Sequence, residues 1–162
     1  MCAAPIEHHA RMWEVVAAEP RDVASWLEVV REVEPLFGPM PGFEAALTRK
    51  IGNGTAVCAR DAAGQVLGGA LLRVVPHAEI AWLAVRTSAR GQGVGHALVA
   101  DLLRRFAGAA EVTVDAFGAD SAAGRPARRL YESFGFAAAE LLDRGPEGGT
   151  RQRFRLQPLP SA

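Results

Sequence analysis

Arg90-Gly91-Gln92-Gly93-Val94-Gly95-His96 lies between an apolar run that reads as a strand, residues 79–85, and the most regular amphipathic pattern in the chain. In that pattern Val94, Leu98, Leu102 and Phe106 recur every fourth residue, and Val99 and Leu103 widen the stripe. The spacing predicts a helix over residues 93–107. Arg104 and Arg105 fall in its last turn, where cations oppose the negative end of the dipole. Glycines at 91, 93 and 95 let a ligand approach the main chain, and the unpaired amides of a helix start face outward at the positive end. A phosphate or pyrophosphate is the natural occupant of such a turn.

Spacing separates the phosphate-binding alternatives. A P-loop requires Gly-Lys-Ser/Thr, but here Gly95 is followed by His96 and Ala97. A dinucleotide fingerprint requires glycine where His96 stands, and it follows the first strand of a parallel unit, not the last of three consecutive strands. Neither fits. A strand-to-helix turn with no ligand would need fewer glycines than three at alternate positions.

Working outward, residues 13–17 read as a short strand that ends at Pro20. Val23, Trp26, Leu27, Val30 and Val33 recur at helical spacing, with Asp22 placed to cap. Residues 35–42 (Pro-Leu-Phe-Gly-Pro-Met-Pro-Gly) predict a loop, and a second short helix runs to Ile51. Strands over 55–60 and 66–75 flank an Asp61-Ala62-Ala63-Gly64 turn, and Pro76-His77 separates them from the strand at 79–85. After the long helix come a strand at 111–116, a glycine- and alanine-rich loop at 117–124, and a helix from Pro126 to Gly135. Strands at 137–142 and 150–156 close the chain around a turn at 143–149. The order βααβββαβαββ is that of a single α/β domain, an α+β mixed sheet with helices on both sides, over residues 12–157. Residues 1–11 and 158–162 read as tails.

Composition narrows the function. The chain has 162 residues, enough for one domain with a sizeable core. Basic and acidic residues balance at 18 each, so no overall field argues for nucleic acid, a membrane surface or a polyanionic partner. Cys2 and Cys58 are too few for a disulfide framework, and Cys58 sits in an apolar run as an inert thiol. The first residues lack a signal-peptide pattern, and no apolar stretch nears the roughly 20 residues that span a bilayer, so a soluble cytoplasmic protein is expected. His8, His9, His77 and His96 have no ligand partner at metal spacing, and no metal is expected.

Val85 followed by Arg90-Gly-Gln-Gly-Val-Gly95 resembles the arginine/glutamine-x-x-glycine-x-glycine/alanine signature of the GNAT superfamily of N-acyltransferases. Ala127-Arg-Arg-Leu-Tyr-Glu-Ser-Phe-Gly-Phe136 resembles its later helix motif, which ends Leu-Tyr-x-x-x-Gly-Phe. The order of elements is also the family's. The resemblance implies a central, mostly antiparallel sheet and an N-acetyltransferase that moves an acetyl group from acetyl-CoA to a primary amine of a small molecule, peptide or protein. It implies that Arg90, Gly91, Gln92, Gly93, Val94, Gly95 and His96 hold the pyrophosphate. Leu83, Ala84 and Val85 would pair with the pantetheine, and Ala127 would flank the cofactor. Tyr131, the only tyrosine, would protonate the departing thiolate, its alternative role being to pack the helix with Ala127, Leu130 and Phe134. Glu79 would be the base, unless a water chain serves and Glu79 is a solvated strand-end residue. The family allows a homodimer, and the sequence identifies no interface.

One position departs from the pattern. Gly124 stands where the family commonly has asparagine, so a side-chain contact to the cofactor is either missing or supplied by Asp120 or Ser121. A non-catalytic acyl-CoA sensor on the same fold is the alternative function. The resemblance places the acceptor between residues 34–43 and 143–149, where Leu36, Phe37, Met40 and Phe43 offer an apolar wall. Glu34, Glu44, Asp143 and Glu147 would attract a cationic amine.

Overall fold

A computed structural model describes residues 12–157. The two expected tails, with Cys2, His8 and His9, lie outside the described residues. The elements are β1 (Trp13–Ala17), α1 (Val23–Phe37), α2 (Phe43–Gly52), β2 (Ala56–Asp61), β3 (Val66–Arg73) and β4 (Ala78–Val85). They continue with α3 (Val94–Arg105), β5 (Val112–Phe117), α4 (Arg125–Ser133), β6 (Ala137–Leu142) and β7 (Arg151–Leu156). The expected order holds, and the seven strands form one mixed sheet in the order β1-β2-β3-β4-β5-β7-β6. Only β4 and β5 pair in parallel; every other neighbour is antiparallel.

Strand alternation divides the apolar residues between two cores. On one face Val57, Ala59 and Val114 pack under Leu98, Val99 and Leu102 of α3 and Tyr131 of α4. On the other, Ala56, Cys58 and Leu71 pack under Trp26, Val29 and Val33 of α1 and Leu47 of α2. Cys58 is a free buried thiol, pushed up to about 12 by burial, which fits the inert role expected of it.

Three local expectations are corrected. The segment read as a loop from Pro35 belongs to α1 as far as Phe37, because Phe37 continues the stripe of Trp26, Val30 and Val33 onto the same core. Burial there outweighs the one hydrogen bond that Pro35 forgoes. Asp22 makes no side-chain cap on α1. Its buried carboxylate instead accepts from Nε and Nη2 of Arg60 at 2.8 and 2.7 Å, and from the Glu19 amide at 2.8 Å. The third strand stops at Arg73, not residue 75, because Arg73 pairs with Glu79 and the hairpin then turns, leaving Val74 and Val75 exposed.

Candidate functional site

The site begins with a defect in the sheet. Between the pairs Leu71–Trp82 and Leu72–Ile80 the register of β3 against β4 shifts, so β4 carries one extra residue, Ala81. Such a bulge bends its strand and re-aims the residues beyond it. The parallel ladder to β5 contains only Ala78–Val112, Glu79–Thr113 and Ile80–Val114. Past the bulge, β4 stays on β3 through Leu83, Ala84 and Val85, while β5 stays on β7 through Asp115, Ala116 and Phe117. The two strands part like a V, and the β5-facing edge of Leu83–Ala84–Val85 is left without a strand partner among the described residues.

A cleft of about 380 Å³ occupies this opening. Leu83, Ala84 and Val85 line it, together with Arg90, Gly91, Gly93, Val94, Gly95 and His96 at its head and Pro126, Ala127 and Leu130 of α4 opposite. Gly91 and Gly93 hold φ of +77° and +82°, a left-handed backbone that disfavours other L-residues, and Gly93 opens α3. Gly95 answers a different need: a Cβ there would lie 3.2 Å from Leu130 Cδ2 and narrow the cleft. Of the cradle residues, Gln92 does not line the cleft; its side-chain amide donates to the Ser88 carbonyl. His96 packs its ring on Phe134 at 4.6 Å.

The cradle is tied to α1. Arg86, 8% exposed, donates to the Val66 carbonyl at 3.0 Å and to Ser25 and Glu28 of α1. Glu32 accepts from the Thr87 amide at 2.9 Å, and that contact holds its carboxyl below the usual range.

A second cavity, of about 500 Å³, adjoins the first. Phe37, Leu83, Phe117 and Ala127 line both, so the junction lies between the C-terminus of α1, β4, the end of β5 and α4. Tyr131 lines the second cavity at 4% exposure, and no described residue hydrogen-bonds its hydroxyl. Burial pushes that phenol above its ordinary value, so it remains protonated across the neutral range. Its ring also packs edge-on against Phe136 at 5.7 Å, within the core that includes Ala127, Leu130 and Phe134. Phe37 at the end of α1, with Met40 and Asp143 from the two expected loops, reaches this cavity, whereas Leu36 lines the first cleft and Phe43 packs on Trp82 at 4.9 Å. Glu147 is engaged by Arg151.

Glu79 is placed apart from these residues. It lines neither cavity, and its carboxylate is ion-paired with Arg73 on the neighbouring strand. Asp120 and Ser121 do not line the cleft either. Asp120 accepts from the Thr150 hydroxyl, and Ser121 Oγ accepts from the Gly124 amide at 3.2 Å, so both fix the loop itself. Gly124 has a packing cause: a Cβ at 124 would stand 2.3 Å from Phe117 Cβ. Phe117 and Arg128 were not foreseen. Arg128 gathers the carbonyls of Phe117, Gly118 and Ser121 and so shapes the loop after β5, but nothing in Arg-Pro-Ala-Arg-Arg sets it apart from Arg125 and Arg129. Phe117 stands next to a glycine-rich loop, and only its contacts reveal that it borders both cavities.

Among the described residues no cluster of His, Cys, Asp and Glu could hold a metal ion, and no helix is long and apolar enough to cross a membrane. The likenesses to solved structures concern the fold. Ard1 from Thermoplasma volcanium superposes with a TM-score of 0.75 at 19% identity, over 90% of this chain and 97% of that one. A GNAT-family acetyltransferase from Bacillus cereus gives 0.72 at 13% identity, over 92% and 99%. A GNAT-superfamily phosphinothricin acetyltransferase from Sinorhizobium meliloti, in complex with acetyl-CoA, gives 0.69 at 23% identity, over 90% and 88%. No curated protein matches the sequence. The acetyltransferase (GNAT) family model matches residues 23–136, a span that holds the opened edge of β4, the glycine cradle and Tyr131, and the chain therefore belongs to the GNAT family of acetyltransferases.

Proposed function

We propose that this acetyltransferase uses acetyl-CoA as donor and a primary amine as acceptor, by direct attack of the amine on the thioester. One observation carries the reading: a cleft with a glycine cradle at its head and an unpaired strand edge along its side meets a second cavity that holds a buried, protonated tyrosine. The amides of residues 91–96 would receive the pyrophosphate. Leu83, Ala84 and Val85 would hydrogen-bond the pantetheine as if it were another strand. Their edge is open because of the Ala81 bulge, and Gly95 and Ala127 keep side-chain bulk out of the path. The thioester then comes to the junction at Phe37 and Phe117. The similar structure from Sinorhizobium meliloti, with its acetyl-CoA, supports this donor.

The acceptor enters as an ammonium, loses one proton to become nucleophilic and loses a second as the amide forms. Its nitrogen forms the bond to the acetyl carbon as the carbon–sulfur bond breaks, and the thiolate takes the Tyr131 hydroxyl proton. Tyr131 regains a proton from solvent, and one proton is released for each amide formed. Glu79 is proposed as the base, and because it lines neither cavity the proton reaches it through water. A cytoplasmic location is proposed with the reading, and the free thiol of Cys58 is consistent with a reducing compartment.

Thiol release from acetyl-CoA, followed across a set of primary amines with the acetylated product identified by its mass, tests the proposal. Amine-dependent release with one acetyl group gained per thiol is expected. Tight acetyl-CoA binding without release on any amine would make the chain a sensor of the cofactor instead.

A further inference from the structure

The second cavity says what kind of amine fits. Resting on the reading above, we propose that the acceptor is a compact amine with an apolar aliphatic or aromatic body and no carboxylate of its own, and that Asp143 draws in its ammonium group.

The body follows from the walls. Phe37, Met40, Trp82, Phe117 and Leu142 line the cavity, so a hydrocarbon or aromatic ring is desolvated there at a gain.

The charge follows from which lining groups already have partners. Arg153 is held by Asp115, with Nε to Oδ1 at 2.9 Å, and by Glu140 at 3.3 Å. Arg151 forks onto both carboxylate oxygens of Glu147 and lies over the Phe117 ring, 4.3 Å from its centroid. An acceptor carboxylate would have to break one of these pairs to find a cation. The Asp143 carboxylate, exposed at the rim, has no hydrogen-bond or ion-pair partner among the described residues. The uncommitted charge of the cavity is therefore negative, and it favours a cation over a zwitterion.

The size follows from the loops. The segment after α1 and the segment after β6 meet: a Cβ on Gly38 would stand 3.0 Å from the Glu147 amide nitrogen and 3.2 Å from the Pro146 ring. The same two regions of the chain supply Phe37 and Met40, and Leu142 and Asp143, to the cavity wall. A lysine inside a polypeptide needs a groove open at both ends, and in the proposed reading the contact between these two segments closes one of them.

The test compares kcat/KM for 2-phenylethylamine and hexylamine with that for free glutamate, free lysine and an N-blocked peptide containing one internal lysine. Calorimetry of acetyl-CoA binding runs alongside. The compact amines are expected to exceed each of the others by at least about tenfold, the scale of a buried charge left unpaired. Asp143→Asn is expected to raise KM for 2-phenylethylamine about fivefold, as an exposed charge would, with kcat and acetyl-CoA affinity unchanged and with Asp143→Glu restoring KM. A preference for the amino acids or for the peptide lysine overturns the proposal, and so does an unchanged KM in Asp143→Asn. Acetyl-CoA binding with no turnover of the compact amines overturns the acceptor class alone. Failure to bind acetyl-CoA removes the donor reading, and the acceptor class falls with it.

Discussion

Gly124 and Phe117 settle between them a point that the motif alone left open. A family asparagine at 124 would place its Cβ 2.3 Å from Phe117 Cβ, so packing against the phenylalanine accounts for the glycine. Gly124→Asn is accordingly expected to destabilise the fold by about 2 kcal/mol through overpacking and to raise KM for acetyl-CoA. Phe117→Ala in the same chain should recover most of the lost stability; thermal unfolding of the two variants and the double variant checks this. Asp22 and Arg60 give a second residue-scale expectation. Burial works against ionisation of Asp22, but the Arg60 guanidinium and the Glu19 amide prevail and hold its carboxyl below the usual carboxylate range. A carboxyl whose folded value is depressed stabilises the fold above its unfolded value of about 3.9, and that contribution is lost as pH falls through the folded value. Asp22→Asn leaves Arg60 with one carboxylate neighbour, the exposed Glu19, and is expected to cost about 3 kcal/mol near neutral pH. The difference from the parent should shrink in acid, as urea unfolding at pH 7 and pH 3 would show.

At the scale of elements, α1 is docked by shape. Trp26 is fully buried, its indole N–H finds no partner among the described residues, and its ring lies against Gly69 of β3, where a Cβ would sit 2.5 Å away. Gly69→Ala should push α1 off the sheet and cost about 2–3 kcal/mol. Because α1 is also bound to Arg86 and Thr87, the same change is expected to raise KM for acetyl-CoA, which would separate it from a remote core lesion. The helices and strands were legible wherever one apolar stripe dominated, as in α3 with Val94, Leu98 and Leu102. The end of α1 was not, because Pro35 reads as a stop and the counterweight, Phe37 reaching the core formed by Trp26 and Val33, is a tertiary contact. Asp22 was misplaced for the same kind of reason. Its position before a helix suggests a cap, but its partner Arg60 is distant in sequence.

At the scale of the molecule, the first cleft was legible at its glycine head because that part is local: a strand, three glycines and a helix start are contiguous. What assembles it is not local. The Ala81 bulge, the parting of β4 from β5 and the meeting of two cavities at Phe37 and Phe117 arise from pairing between distant strands. Glu79 fits a base by its position along β4, and its ion pair with Arg73 is a cross-strand contact that motif spacing does not reveal. Tyr131 joins the two cavities, lying on the helix that walls the first cleft and lining the second cavity. Its raised pKa keeps the proton in place, so the alkaline limb of kcat should begin above the ordinary phenol value of about 10. The decisive experiment is single-turnover thiol release by the parent and Tyr131→Phe at saturating amine, with acetyl-CoA affinity measured on both. The structure predicts a fall in rate of about 10²–10³-fold with affinity unchanged; equal rates would show that the thiolate takes its proton from elsewhere.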